Sequence, residues 1–178
     1  FNNVAGNTNM FAASSSNNVA GNSNEFANGS DENNVVGNTN KFESSSKNTV
    51  VGNANELANG SNKNVVAGSA NKFNHSTDNT VVGVENTLTN DSNSNVVVGY
   101  KNSLDQSSNN TVLGYNNSLD PSSGNTVIGW DNTLTDTNNS QILGYNNDTT
   151  NLEGSKVWGG GNNLGNTAQT STGMFVVG

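Results

Sequence analysis

The chain has 178 residues, of which 30% are apolar and 11% charged, with a net charge of -8, no cysteine and one histidine, His75. Six basic residues, none of them clustered, argue against nucleic acid or an anionic membrane surface as partner, and the lack of cysteine excludes a disulfide framework and a thiolate metal site. No apolar run is long enough for membrane insertion, and a composition this rich in Asn, Ser, Thr and Gly reads as disorder unless a repeat organises it.

A repeat does organise it. The first unit, Asn2-Asn3-Val4-Ala5-Gly6 followed by Asn9-Met10-Phe11, sets the skeleton Asn-x-Val-x-Gly, two spacers, Asn-x-Leu or Phe, and a polar turn. The register glycines are Gly6, Gly21, Gly37, Gly52, Gly68, Gly83, Gly99, Gly114, Gly129, Gly144 and Gly159, spaced alternately by 15 and 16 residues through Gly99 and by 15 thereafter. So short and regular a period predicts an all-β fold, a single β-solenoid of about eleven coils with two short strands per coil and parallel ladders. Residues 1–165 form the repeats, and 166–178 read as an irregular C-terminal cap or partial coil. Phe1 stands directly before the first unit, so the chain reads as a segment of a longer precursor.

Two rows supply the core. Two residues before each glycine stand Val4, Val19, Val35, Val50, Val66, Val81, Val97, Val112, Val127, Ile142 and Val157; five after it stand Phe11, Phe26, Phe42, Leu57, Phe73, Leu88, Leu104, Leu119, Leu134, Thr149 and Leu164. Two asparagine rows frame them, one from Asn2 to Asn125 that changes to Ser140 and Ser155, the other unbroken from Asn9 to Asn162. Side-chain amides repeated at about 4.8 Å can hydrogen-bond from coil to coil, which predicts two structural Asn ladders. The glycine is expected to supply a corner, through positive φ or close backbone approach. Pro121, the only proline, falls in the polar turn, where it is expected to remove no ladder hydrogen bond.

Alternation turns the neighbours of each core valine outward. The resulting candidate binding face is Thr49, Val51, Val65, Ala67, Thr80, Val82, Val96, Val98, Thr111, Leu113, Thr126 and Ile128, without a charge among them. Ordinary solvent-facing strands carry Lys and Glu, so a half-apolar uncharged plane on an acidic chain marks a recognition surface. The residues flanking the second core row include Glu25, Lys41, Glu43, Glu56, Lys72, Asp105 and Asp148 and read as the solvated side. Tyr100, Tyr115, Trp130 and Tyr145 follow their glycines in consecutive coils and read as an aromatic column stiffening a corner.

Catalysis finds no support. His75 lies alone in a variable turn, the acidic residues lack calcium-loop spacing, and neither a metal site nor a cofactor is expected. Sequons at Asn28, Asn59, Asn74, Asn90, Asn109, Asn116, Asn138 and Asn147 fall nearly all in or beside turns, which would permit N-glycans.

Asn48-Thr49-Val50-Val51-Gly52 with Asn55-Glu56-Leu57-Ala58-Asn59-Gly60 resembles, position by position, the two-part repeat of the ice-recrystallisation-inhibiting antifreeze proteins of perennial ryegrass and related grasses. The likeness runs from Asn2 to about Gly165. It implies a β-roll with Asn ladders, secreted to the cell exterior, in which the Thr49 to Ile128 rows bind ice. The coils are also loosely similar to the head repeats of trimeric autotransporter adhesins, which implies instead an adhesive or filament-forming surface protein whose outward apolar row, or whose open coil ends, meet copies of itself.

Overall fold

The computed structural model describes residues 1–165 and 170–178. Among them every regular element is a β-strand, and every pairing is parallel. The fold is the β-solenoid that the repeat predicts. Sheet A has 12 strands, from Asn3–Ala5 to Phe175–Val177, and sheet B has 11, from Met10–Phe11 to Asn163–Gly165. Each strand pairs with its counterpart one coil on, repeat position on repeat position: Val81 with Val97, Leu88 with Leu104.

The valine row of sheet A and the Phe/Leu row of sheet B are buried against each other from Val19 and Phe26 onward, at about 1.5–3 kcal/mol per side chain. Phe11, Phe26 and Phe42 stack with ring centroids 4.9 and 4.7 Å apart, the distance between coils. Asn86 shows how the ladder works. Its backbone N–H and Nδ2 both donate to Asn71 Oδ1, at 3.1 and 3.0 Å, while Nδ2 also donates to the Gly99 carbonyl at 2.9 Å. Its own Oδ1 accepts the N–H and Nδ2 of Asn102, both at 3.0 Å. Two amide hydrogens and two lone pairs are thereby all used, which only an amide of this length achieves. Where Ser140 and Ser155 replace Asn in the other row, the acceptor between coils survives, Ser155 N–H donating to Ser140 Oγ at 3.0 Å, while the Ser140 hydroxyl donates within its own coil to the Asn138 carbonyl at 2.8 Å.

A third buried row was not anticipated. Ser30, Ser45, Ser61, Ser76, Ser92, Ser107 and Ser122 point inward, and Ser45 N–H donates to Ser30 Oγ at 3.2 Å, Ser61 N–H to Ser45 Oγ at 3.1 Å. The polar turn of the repeat is therefore a third side, closed by its own hydroxyl ladder. Among the described residues no buried side-chain nitrogen or oxygen lacks a partner.

The corners run through left-handed backbone, as at Lys101 (φ 57), His75 (φ 53) and Asp78 (φ 58), although non-glycine residues there cost about 1–2 kcal/mol each. Coils of 16 residues insert their extra residue at one corner as a second left-handed residue, Gly29 (φ 78), Gly60 (φ 81) or Asp91 (φ 66). The inward rows keep their register.

Two expectations are corrected. The register glycine is not itself the corner: in every coil the left-handed residue stands two positions after it, as Thr8, Ala54 or Lys101, and from Val65–Ser69 onward the glycine, still at positive φ, lies inside a five-residue strand, as in Thr111–Tyr115. Close approach is what it provides, since a Cβ on Gly114 (φ 148) would lie 1.7 Å from the Gly129 carbonyl oxygen. Pro121 does forgo a bond between coils, because His75, Asn90, Gln106 and Asn151 at the same repeat position donate their N–H to the preceding coil at 3.1–3.2 Å.

Toward the C-terminus, Leu152–Glu153 pairs with Ser171–Thr172, and Phe175–Val177 adds to sheet A with Phe175 opposite Lys156. The expected boundary at residue 166 falls in 166–169, outside the described residues.

Candidate functional site

All twelve candidate residues lie on the outward side of sheet A, in two rows held by the sheet register. Thr49, Val65, Thr80, Val96, Thr111 and Thr126 face one another in succession, and beside them Val51, Ala67, Val82, Val98, Leu113 and Ile128 do the same. The valine between each pair is fully buried, so the strand pleat projects both flanking side chains. Val51 remains 52% exposed, Val82 45% and Ile128 44%. Within the described residues the hydroxyls of Thr49, Thr80, Thr111 and Thr126 make no hydrogen bond to the chain. Thr89 on sheet B, by contrast, has its hydroxyl 3.2 Å from Asp105 Oδ1.

The rows change character toward both ends. In the first three coils the outer row is Asn3, Asn18 and Asn34, and Asn18 Nδ2 donates to Asn34 Oδ1 at 2.9 Å, so one amide bond is spent along this row. Beyond Ile128 the rows continue as Gln141 with Leu143 and Lys156 with Trp158, and among the described residues Lys156 is the only charged one in a strand of sheet A.

Sheet B presents a different surface. Glu25, Lys41, Glu56 and Lys72 occupy one register row with alternating sign, and Lys72 Nζ lies 4.0 Å from Glu56 Oε2. Such alternation keeps the face hydrated and neutralises it rung by rung.

The aromatic residues stack on one another in two pairs, as the sequence suggested, just before the left-handed corner residues. Tyr100, Tyr115, Trp130 and Tyr145 are the last residues of sheet A strands, in register and exposed, so they also extend the face. Tyr100 and Tyr115 stack at 5.5 Å, Trp130 and Tyr145 at 4.8 Å. Lys101 Nζ lies 5.0 Å from the centre of the Tyr100 ring and 3.7 Å from Glu85 Oε2; a hydrogen bond with Tyr100, together with the Tyr100 and Glu85 charges, raises its pKa above the ordinary value. The signal in the sequence was the run Thr-Val-Leu-Gly-Tyr, which continues strand alternation once a glycine is admitted to a strand interior.

Among the described residues no three His, Cys, Asp or Glu side chains converge to hold a metal ion. His75 Nδ1 has Asp91 Oδ1 at 3.2 Å, both side chains more than half exposed. The sequons divide by burial: Asn28, Asn59, Asn90, Asn109 and Asn116 are exposed, whereas Asn147 is buried with its Nδ2 on Asn132 Oδ1 at 2.9 Å and on the Gly159 carbonyl at 3.0 Å. Asn147 therefore leaves no room for a glycan.

Compared with known protein families and with curated proteins, the sequence matches none.

Proposed function

We propose that this protein is a non-catalytic, extracellular β-solenoid that adsorbs to ice through the outward side of sheet A. The observation that carries the reading is the set of Thr hydroxyls and Val methyls held in register across six coils, uncharged and with no hydrogen bond spent within the chain. Rows about 4.8 Å apart along the axis and about 7 Å apart along the strand present methyls and hydroxyls as a fixed lattice that can order water ice-like. The Asn and Ser ladders beneath keep the lattice rigid, so many weak contacts add with little ordering entropy lost on the protein side. The test is recrystallisation inhibition and crystal shaping by the purified chain, with its mass in solution measured by light scattering. Activity from a monomer supports the reading; an inactive trimer or polymer would sink it.

A second reading has its own observation. Leu113, Ile128, Trp130, Tyr145 and Trp158 make the C-terminal half of the face markedly apolar. In a structural or adhesive filament component those side chains would meet a copy of the same chain, and light scattering would register the assembly.

A further inference from the structure

Exposed rows two residues apart on a strand lie about 7 Å apart, so the aliphatic row and the aromatic column of sheet A leave a groove between them parallel to the solenoid axis. Leu113 and Tyr115 flank it in one strand and Ile128 and Trp130 in the next, with Gly114 and Gly129 between them. These glycines contribute no side chain and are only half-buried, so the floor is backbone that solvent reaches. Four consecutive coils carry an aromatic wall, which makes the groove about 14 Å long at about 4.8 Å per coil. One carboxylate beside it is uncompensated: Asp131 accepts Asn116 Nδ2 at 2.7 Å and, among the described residues, pairs with no cation, whereas Glu85 is paired with Lys101 at 3.7 Å.

We propose that this groove binds an extended, planar aromatic cation lying along the axis. Length, flatness and charge all follow from the site. A planar rod of three or four coils' length would contact the aliphatic wall with one edge and both stacked ring pairs with the other. A compact ligand would meet only one or two coils of either wall. Positive charge suits both Asp131 and a chain of net charge -8. The inference goes beyond ice adsorption, because the aromatic column plays no part in that reading.

Thioflavin T, a rod-shaped planar aromatic cation, is the probe. Titrated into the full chain, it should show a saturable rise in fluorescence. In Tyr115→Thr/Trp130→Thr, with both replacements chosen for β-propensity, affinity should fall about tenfold or more. Asp131→Asn should weaken binding about threefold. Val51→Thr/Val82→Thr, on the same face but outside the groove, should bind as the parent does. Far-UV circular dichroism verifies the sheet in each variant, and single Trp130→Thr serves if the double variant loses it. No saturable rise with the parent chain, or an undiminished rise once the rings are gone, would overturn the proposal.

Discussion

Thr149 and Leu152 exchange roles within a single coil. Thr149 is fully buried in the row that Phe and Leu fill elsewhere, and Leu152, 1% exposed, is buried in the column of serines. The threonine hydroxyl lies 3.3 Å from the Thr133 carbonyl and 3.3 Å from the Thr137 hydroxyl, so the polar group is satisfied while the apolar volume moves across the interior. Thr149→Leu alone should overpack the coil by about 1–3 kcal/mol, and Leu152→Ser alone should cost about 2–5 kcal/mol as a cavity. The double variant should recover at least about 2 kcal/mol of the sum in urea unfolding. Additive losses would show that the two positions do not share one interior.

Removing one ladder amide strands several partners at once. Asn86→Ala removes the amide donor to the Gly99 carbonyl and the acceptor of both Asn102 donors, and leaves Asn71 Oδ1 with the Asn86 backbone N–H alone. The loss should reach about 3 kcal/mol or more, and hydrogen exchange should accelerate first in the flanking coils, since coils interact with their neighbours alone. Uniform acceleration along the chain would contradict this.

The stacked glycines should tolerate no side chain. A methyl on Gly114 would lie 1.7 Å from the Gly129 carbonyl oxygen, which is backbone and part of the sheet. Gly114→Ala should destabilise by about 3 kcal/mol, from steric strain and an unfavourable φ together, whereas Gly60→Ala, with only side-chain atoms at 3.9 Å, should lose about 1 kcal/mol. Thermal unfolding of the two variants gives the comparison.

Ice activity should follow the face. Thr111→Lys places a long charged chain in the middle of the rows and should abolish recrystallisation inhibition. Glu56→Lys on sheet B should leave it intact, the exposed pair it breaks with Lys72 contributing about 0.5 kcal/mol at most. The reverse pattern would move the binding surface to sheet B.

The alternation of coil lengths has a structural correlate that deletion can probe. Gly60 is the extra residue of its coil, lying between left-handed Asn59 and inward Ser61. Deleting it yields a coil of the other native length and should cost about 1 kcal/mol or less, whereas deleting His75, in a coil that already has only 15 residues, shifts Ser76 and Asn79 off their ladders and should prevent that coil from closing. Circular dichroism and melting temperature separate the two.

The fold was legible because a repeat states the same constraint many times. Val81 and Leu88 were readable as core from apolar positions recurring with the glycine, and Asn79 and Asn86 as ladders because the same amide returns in every coil. Ser76 and Ser92 recur as regularly, yet polarity in a turn normally means exposure, and nothing along the chain distinguishes a buried hydroxyl from a hydrated one. Pro121 misled for a related reason: its turn looked free of ladder bonds, but the same corner donates backbone N–H groups in other coils.

By itself the sequence determined the coil, its register and its two sheets, because a period of 15 or 16 residues with Val and Leu at fixed places admits one inward set. Only the tertiary structure decided that the turn is a third buried side, that glycine lies within a strand, and that Tyr115 and Trp130 stand beside Leu113 and Ile128 on one surface. The physical reason is that burial and adjacency between coils depend on where the backbone goes after each corner. That path is set by left-handed residues such as Lys101 and His75, whose identity along the chain does not announce their conformation.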